Sequence, residues 1–438
     1  MRSVSSGFRP FVLALVLVIT ASVAIFSGRA EEIPLMDGLP TAVPEDVGMS
    51  STRLERIDRI MQSYVSRRDV AGAVSLVARR GRVVHFSTFG DRHIEAAAPM
   101  THDTIFRIAS MTKPVASVAL MILYEEGHFQ LRDPISRWLP EFSDMRVASA
   151  ATYREVGRSR FQTAQAAGPI TVQHLLTHTA GLPNTYRGIT KTDFDAIAPQ
   201  REEGDTVGDF VTRLAELPLN FDPGTAWEYG RATDVVGRLV EVMSGMSFDE
   251  FLQSHIFGPL AMFDTHFYLP EDKLDRFAGL YRPDVTAGLL LVEAPTEDSR
   301  FVRRPHSYFS GAGGLVSTAR DYFRFQQMML NGGELDGVRI LGRKTVELMT
   351  VNHIGDQDIW LVGPGHGFGL GYAVVQDPGV VGMPYSKGSY FWWGAFNTTF
   401  WVDPTEELVG VLLTQLRPYT HLNIRQDLAT LAYQAIID

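Results

Sequence analysis

The feature that most constrains this chain is that its β-type runs sit near its two ends, with helical texture between them. Ala73–Ala78 and Val83–Phe89 are joined by Arg79-Arg80-Gly81-Arg82, a short glycine-containing connection that reads as a hairpin. Tyr390–Trp393, Thr399–Val402 and Leu408–Leu413 form a second group, the last two joined by the hairpin-type stretch 403–407. From roughly 130 to 300 the pattern is one of helices and loops. Runs so distributed predict one antiparallel sheet completed by distant parts of the chain, with a helical region inserted beside it. Any site built on that sheet must draw on both ends.

Helical spacing adds the flanking elements. Leu54, Ile57, Ile60, Met61 and Tyr64 recur at helical intervals. Ser110 to Gly127 reads as a buried helix, with Pro114 tolerated in its first turn and Gly127 at its end. Thr233–Ser244 is a third helix, preceded by turn chemistry at Asp222-Pro223-Gly224-Thr225. Ser317 or Thr318 can cap a helix through Tyr322 to Leu330, closed by Asn331-Gly332-Gly333. A last helix is expected over about 422–436, and residues 31–50 read as an irregular, proline-rich tether.

Composition narrows the class. With 438 residues, 45% hydrophobic and 21% charged, the chain has ample apolar material for a core. A formal net charge of −10 offers no basic field for phosphates, so no nucleic-acid partner is expected. Arg2 and Arg9 precede an uncharged stretch from Phe11 to Phe26, followed by Ser27-Gly28-Arg29-Ala30. That is the layout of a secretory signal peptide over residues 1–30, ahead of a mature chain 31–438. Its apolar run is shorter than the ~20 residues a spanning helix needs, so no stable membrane insertion is expected after cleavage. Losing residues 1–30 removes three arginines and no acid, taking the charge from −10 to −13. The expected location is periplasmic or secreted. No cysteine is present, which rules out disulfides and thiol chemistry.

Three stretches carry the chemistry. In Ser110-Met111-Thr112-Lys113 the two end residues share a helix face, so the lysine amine can reach the serine hydroxyl. Ser110 also stands at a helix N-terminus, which favours developing negative charge. A serine becomes a nucleophile when a base takes its proton, and burial lowers a lysine into that role. Tyr229, in Glu228-Tyr229-Gly230-Arg231, is a second proton acceptor if a nearby ammonium depresses its pKa. At Trp393-Gly394-Ala395-Phe396, a strand end offers a backbone N–H that with that of Ser110 makes an oxyanion hole. Each stretch alone has an ordinary structural meaning: a capping serine with a solvated lysine, a core tyrosine, a hairpin bend with core aromatics.

Together, in this order and spacing, they resemble the serine β-lactamase and penicillin-binding-protein superfamily, class C-like branch, over nearly the whole mature chain. His174-Leu175-Leu176-Thr177-His178-Thr179-Ala180-Gly181-Leu182, Ile256-Phe257-Gly258-Pro259-Leu260 and Gly313-Gly314-Leu315 are similar to segments of that branch. Ser110 and Lys113 match its nucleophile motif. Tyr229 matches the tyrosine of its Tyr-x-Asn motif, and Trp393-Gly394-Ala395 falls where Lys-Thr-Gly stands. Two departures matter: Arg231 replaces the asparagine and Trp393 the lysine. The tryptophan-glycine-small triplet resembles the family VIII carboxylesterases instead. Lys387-Gly388-Ser389 is a degenerate Lys-Thr-Gly six residues upstream.

The resemblance implies an α+β fold of the serine β-lactamase/D,D-peptidase type, an antiparallel sheet flanked by helices with an all-helical region beside the cleft. It implies Ser110, Lys113 and Tyr229 as catalytic residues, and Ser110 and Phe396 as oxyanion donors. Trp393, Gly394, Ala395, Arg231, Tyr186 and Tyr308 are expected to line the substrate. The substrate is a small ester or lactam-like molecule, and no metal or organic cofactor is implied. The activity expected is hydrolysis of short-chain carboxylic esters. Alternatives are a β-lactamase, a D,D-peptidase, an acyltransferase, or a non-catalytic binding module. His174 and His178, four apart, lack a third ligand or adjacent acid that would make a metal site.

Overall fold

Runs that are apolar on both alternating faces call for cover on both sides of their sheet. In the computed structural model, which describes Gly7 and residues 35–154, 159–197, 204–303 and 306–438, they receive it. The strands are β1 (Gly72–Arg79), β2 (Arg82–His93), β3 (Ala98–Pro99), β4 (His366–Phe368), β5 (Ala373–Val375), β6 (Tyr390–Gly394), β7 (Thr398–Asp403) and β8 (Leu408–Leu413). They form one sheet in the order β4-β5-β6-β7-β8-β1-β2-β3. Every pairing is antiparallel. The seam between the two ends of the chain is β8 against β1, with Leu408 opposite Arg79 and Leu413 opposite Val74.

The strand period of two sorts side chains to opposite faces. On one face Ala73, Val77, Trp401 and Leu412 pack with Ile57 and Met61 of α1 (Ser51–Ser66). On the other, Val74, Leu76, Phe400 and Val411 pack with α2 (Thr112–Glu125). Helix α2 is buried without a break from Thr112 to Leu123, which explains its apolar surface on every side. It lies between the sheet and α3 (Ala232–Ser244). Helices α4 (Ala319–Leu330) and α5 (Ile424–Tyr433) complete the cover, α4 beside α2 and α5 beside α1. Each large apolar side chain so buried contributes about 2 kcal/mol.

Several expectations are corrected. The helix expected from Ser110 begins at Thr112, because Ala109 has φ 44° and residues 109–111 form a single 3₁₀ turn. The middle of the chain is not all-helical: Arg146–Tyr153 pairs with Arg160–Gln165, and Leu280–Asp284 with Gly288–Glu293. The first hairpin is largely exposed and mixed in polarity, so no apolar alternation marks it; the second is only partly buried, with Leu280, Tyr281 and Leu289 turned inward. The stretch 35–50 is no free tether, since Leu39 and Met49 are fully buried and the Ile437 N–H donates to the Gly48 carbonyl. The predicted signal peptide, 1–30, lies outside the described residues except for Gly7. Among the described residues no helix is long and apolar enough to cross a membrane.

Candidate active site

Ser110 occupies the 3₁₀ turn that feeds α2, and the left-handed Ala109 before it turns the serine toward a cavity of about 270 Å³. A non-glycine residue with positive φ such as Ala109 is local strain held by its surroundings. One turn on, the Lys113 Nζ donates to the Ser110 Oγ at 3.2 Å and to the Ala312 carbonyl at 2.7 Å. The lysine is buried, and its pKa is pushed down from 10.5 to about 7, by burial first and then by Arg231, against the opposing pull of Asp234. Near neutral pH a large share of this amine is therefore unprotonated and able to accept a proton.

Asp234, on the first turn of α3, anchors the segment that holds the lysine. It accepts from the Ser310 hydroxyl at 2.6 Å and the Ala312 N–H at 3.1 Å, and pairs with Arg231 at 3.4 Å. The carbonyl of that same Ala312 receives Lys113. One buried carboxylate thus sets the position of both the acceptor of the lysine and the cation that disfavours its charge.

Tyr229 lies across the amine, whose Nζ is 4.6 Å from the ring centroid. Its hydroxyl accepts from the Trp392 indole N–H at 3.2 Å and interacts with the Ser110 side chain. Trp392, His178, Tyr186 and Trp227 enclose the ring at 5.2, 5.0, 5.7 and 6.1 Å between centroids. This enclosure pushes the phenol up to about 12 despite lowering by Ser110, Trp392 and Arg231. The expected depression of the Tyr229 pKa is therefore overturned. Burial in an aromatic box outweighs the neighbouring charges. Burial therefore favours the neutral phenol at Tyr229 and the neutral amine at Lys113.

The bend after β6 closes the site from the sheet side. A Cβ at Gly394 would stand 2.3 Å from the Ile108 carbonyl oxygen, so glycine is what lets this bend approach the segment that carries Ser110. Ala395 and Phe396 then line the cavity opposite Ser110. The Phe396 N–H has no protein acceptor among the described residues.

A family model described as Beta-lactamase matches residues 57–434. The chain belongs to the beta-lactamase family. It is 36% identical over 362 residues to an uncharacterized protein of Mycobacterium tuberculosis, covering 80% of this chain and 86% of that one. It is 31% identical over 394 residues to esterase EstB of Burkholderia gladioli, covering 86% of this chain and 93% of the esterase. Among solved structures, EstCE1, described as a hydrolase with promiscuous acyltransferase activity, superposes with a TM-score of 0.74 at 26% identity. That match covers 89% of this chain and 99% of EstCE1.

Within this beta-lactamase fold, the cavity brings together Ser110, Lys113, Tyr229, Arg231, Tyr186, Tyr308, Ala395 and Phe396. Two residues expected to line the substrate do not: Trp393 and Gly394 are absent from the wall. Strand alternation explains the first, since Trp392 is the indole that points to Tyr229 while Trp393 stacks on it at 4.5 Å beneath the Arg425 guanidinium. Gly394 serves as the close approach already described. Lys387 precedes β6 and is likewise not in the wall. His174 caps a helix, its Nδ1 accepting from the Thr171 N–H at 3.2 Å, and His178 is buried against Tyr229. Sequence reading missed Asp234, Ala312, Phe267, Tyr268, Phe301, Arg300 and Arg417. Only Asp234 left a usable signal, as an acid on the apolar face of a helix.

Proposed function

We propose that this protein is a serine carboxylesterase that acts through an acyl-enzyme on Ser110. The observation that carries the reading is the buried Lys113 amine, 3.2 Å from the Ser110 Oγ with its pKa lowered to about 7. Neutral Lys113 takes the hydroxyl proton as Oγ adds to the ester carbonyl. The backbone N–H groups of Ser110 and Phe396 receive the oxyanion. On collapse the Tyr229 phenol protonates the departing alkoxide and is itself reprotonated from the Lys113 ammonium. Water then adds to the acyl-enzyme, giving its proton to the neutral amine, and Ser110 leaves by taking that proton from the Lys113 ammonium.

Ester rather than lactam cleavage is supported by Trp393 and Arg231 standing where lactamases keep a lysine and an asparagine. The likeness to esterase EstB points the same way. A cavity of about 270 Å³ with Phe267, Phe301 and Tyr308 in its wall suits a short acyl group. Transfer of the acyl group to an alcohol is the second reading, favoured by the likeness to EstCE1. Export to the periplasm or beyond is proposed from residues 1–30 alone. The test is hydrolysis of p-nitrophenyl butyrate and nitrocefin by the purified protein and by Ser110→Ala, with and without added alcohols. Ester turnover lost in the variant, with little nitrocefin cleavage, is the expected result. Turnover surviving in Ser110→Ala refutes the nucleophile, and dominant nitrocefin cleavage refutes the ester preference.

A further inference from the structure

Among the described residues, the cavity wall contains Lys113, Arg231, Arg300 and Arg417 and not one aspartate or glutamate. The chain as a whole carries −10, so this concentration of guanidinium groups runs against its own balance. The mechanism uses one of them, Arg231, to hold down the Lys113 pKa. It has no use for the other two.

The carboxylates behind the wall are shared with other groups. Asp234 faces Arg231 but is shared with Ser310 and Ala312. Glu293 is bound to the buried Arg107 at 2.8 Å and is also close enough to feel Arg300. Glu228, next to Tyr229, is taken by Arg187 at 2.9 Å. Arg417 is exposed at the cavity, and no carboxylate pairs with it among the described residues. A positive cleft with low-dielectric walls of Phe267, Phe301 and Tyr308 focuses its field inward, and the guanidinium fork matches a carboxylate in two hydrogen bonds.

We propose, resting on the esterase reading of the same site, that the substrate is an ester whose short acyl chain ends in a carboxylate. Arg417 grips that carboxylate while Arg231 and Arg300 supply attraction. Arginine is required there, because a lysine keeps the charge and loses the paired donors.

The test compares mono-p-nitrophenyl adipate with p-nitrophenyl hexanoate, esters of equal acyl length that differ by one carboxylate. The ratio of their kcat/KM values should favour the adipate. It should fall as salt is raised, fall about tenfold in Arg417→Gln, and be partly kept in Arg417→Lys. A ratio at or below one, or one unmoved by Arg417→Gln while both esters are turned over, overturns the proposal and leaves the esterase reading standing. Calorimetric titration of adipate into Ser110→Ala protein decides the anion site without catalysis. Binding weakened by Arg417→Gln supports it even if neither ester is hydrolysed, and no binding overturns it.

Discussion

Replacing Arg231 with glutamine, which keeps much of its reach and none of its charge, tests the link between the cavity's electrostatics and its base. In the folded protein Lys113 is held near 7 by burial first and Arg231 second, with Asp234 opposing both. Removing the guanidinium deletes one cation and leaves Asp234, until then paired with it at 3.4 Å, to attract the ammonium more fully. Both changes favour the charged lysine, so the Lys113 pKa must rise. A nearby unit charge at the effective dielectric of a protein site is worth roughly 1–2 kcal/mol, or about one pH unit. The base is active when neutral, so its limb of the kcat/KM profile moves to higher pH by that amount. At pH 7 the neutral fraction then drops from about one half to about one tenth, a loss of about fivefold that is recovered near pH 9. The assay is hydrolysis of p-nitrophenyl butyrate, a neutral ester, followed across pH at the isosbestic wavelength of the product. A profile lowered at every pH with its midpoint unchanged would refute the reasoning, because it would mean that Arg231 acts on something other than the Lys113 proton.

Tyr229→Phe removes the phenol that protonates the leaving group; kcat on an alkyl ester such as methyl butyrate should fall by about 10²–10⁴-fold. The fall should be much smaller on p-nitrophenyl butyrate, whose leaving group departs without a proton, and equal losses on the two would exclude the donor role. Gly394→Ala places a methyl 2.3 Å from both the Ile108 carbonyl oxygen and the Thr398 Oγ1. We expect about 1–3 kcal/mol of lost stability, read as a lower Tm, together with reduced kcat as residues 395–396 are pushed away from Ser110. Unchanged Tm and kcat would show that the close approach is not what shapes this wall.

Local sequence was enough for whatever depends on neighbours along the chain. The three-residue spacing of Ser110 and Lys113 survives the correction that their helix starts two residues late, because a 3₁₀ turn running into an α-helix still keeps residues three apart on one side. The apolar runs at 73–89 and 390–413 were legible as one sheet because strands with two apolar faces have few other ways to be covered. The exposed hairpin of residues 146–165 escaped notice because a strand that buries little leaves little pattern.

What the sequence alone determined is therefore the five central strands of the sheet, the helices that flank it and the pairing of a serine with a lysine, all set by periodicity and short-range geometry. Tertiary structure alone decided the protonation of Tyr229, the turning of Trp393 away from the cavity and the gathering of Arg231, Arg300 and Arg417 around it. Burial and electrostatic fields are sums over groups far apart in the chain, and they acquire a sign only when folding sets the distances among them.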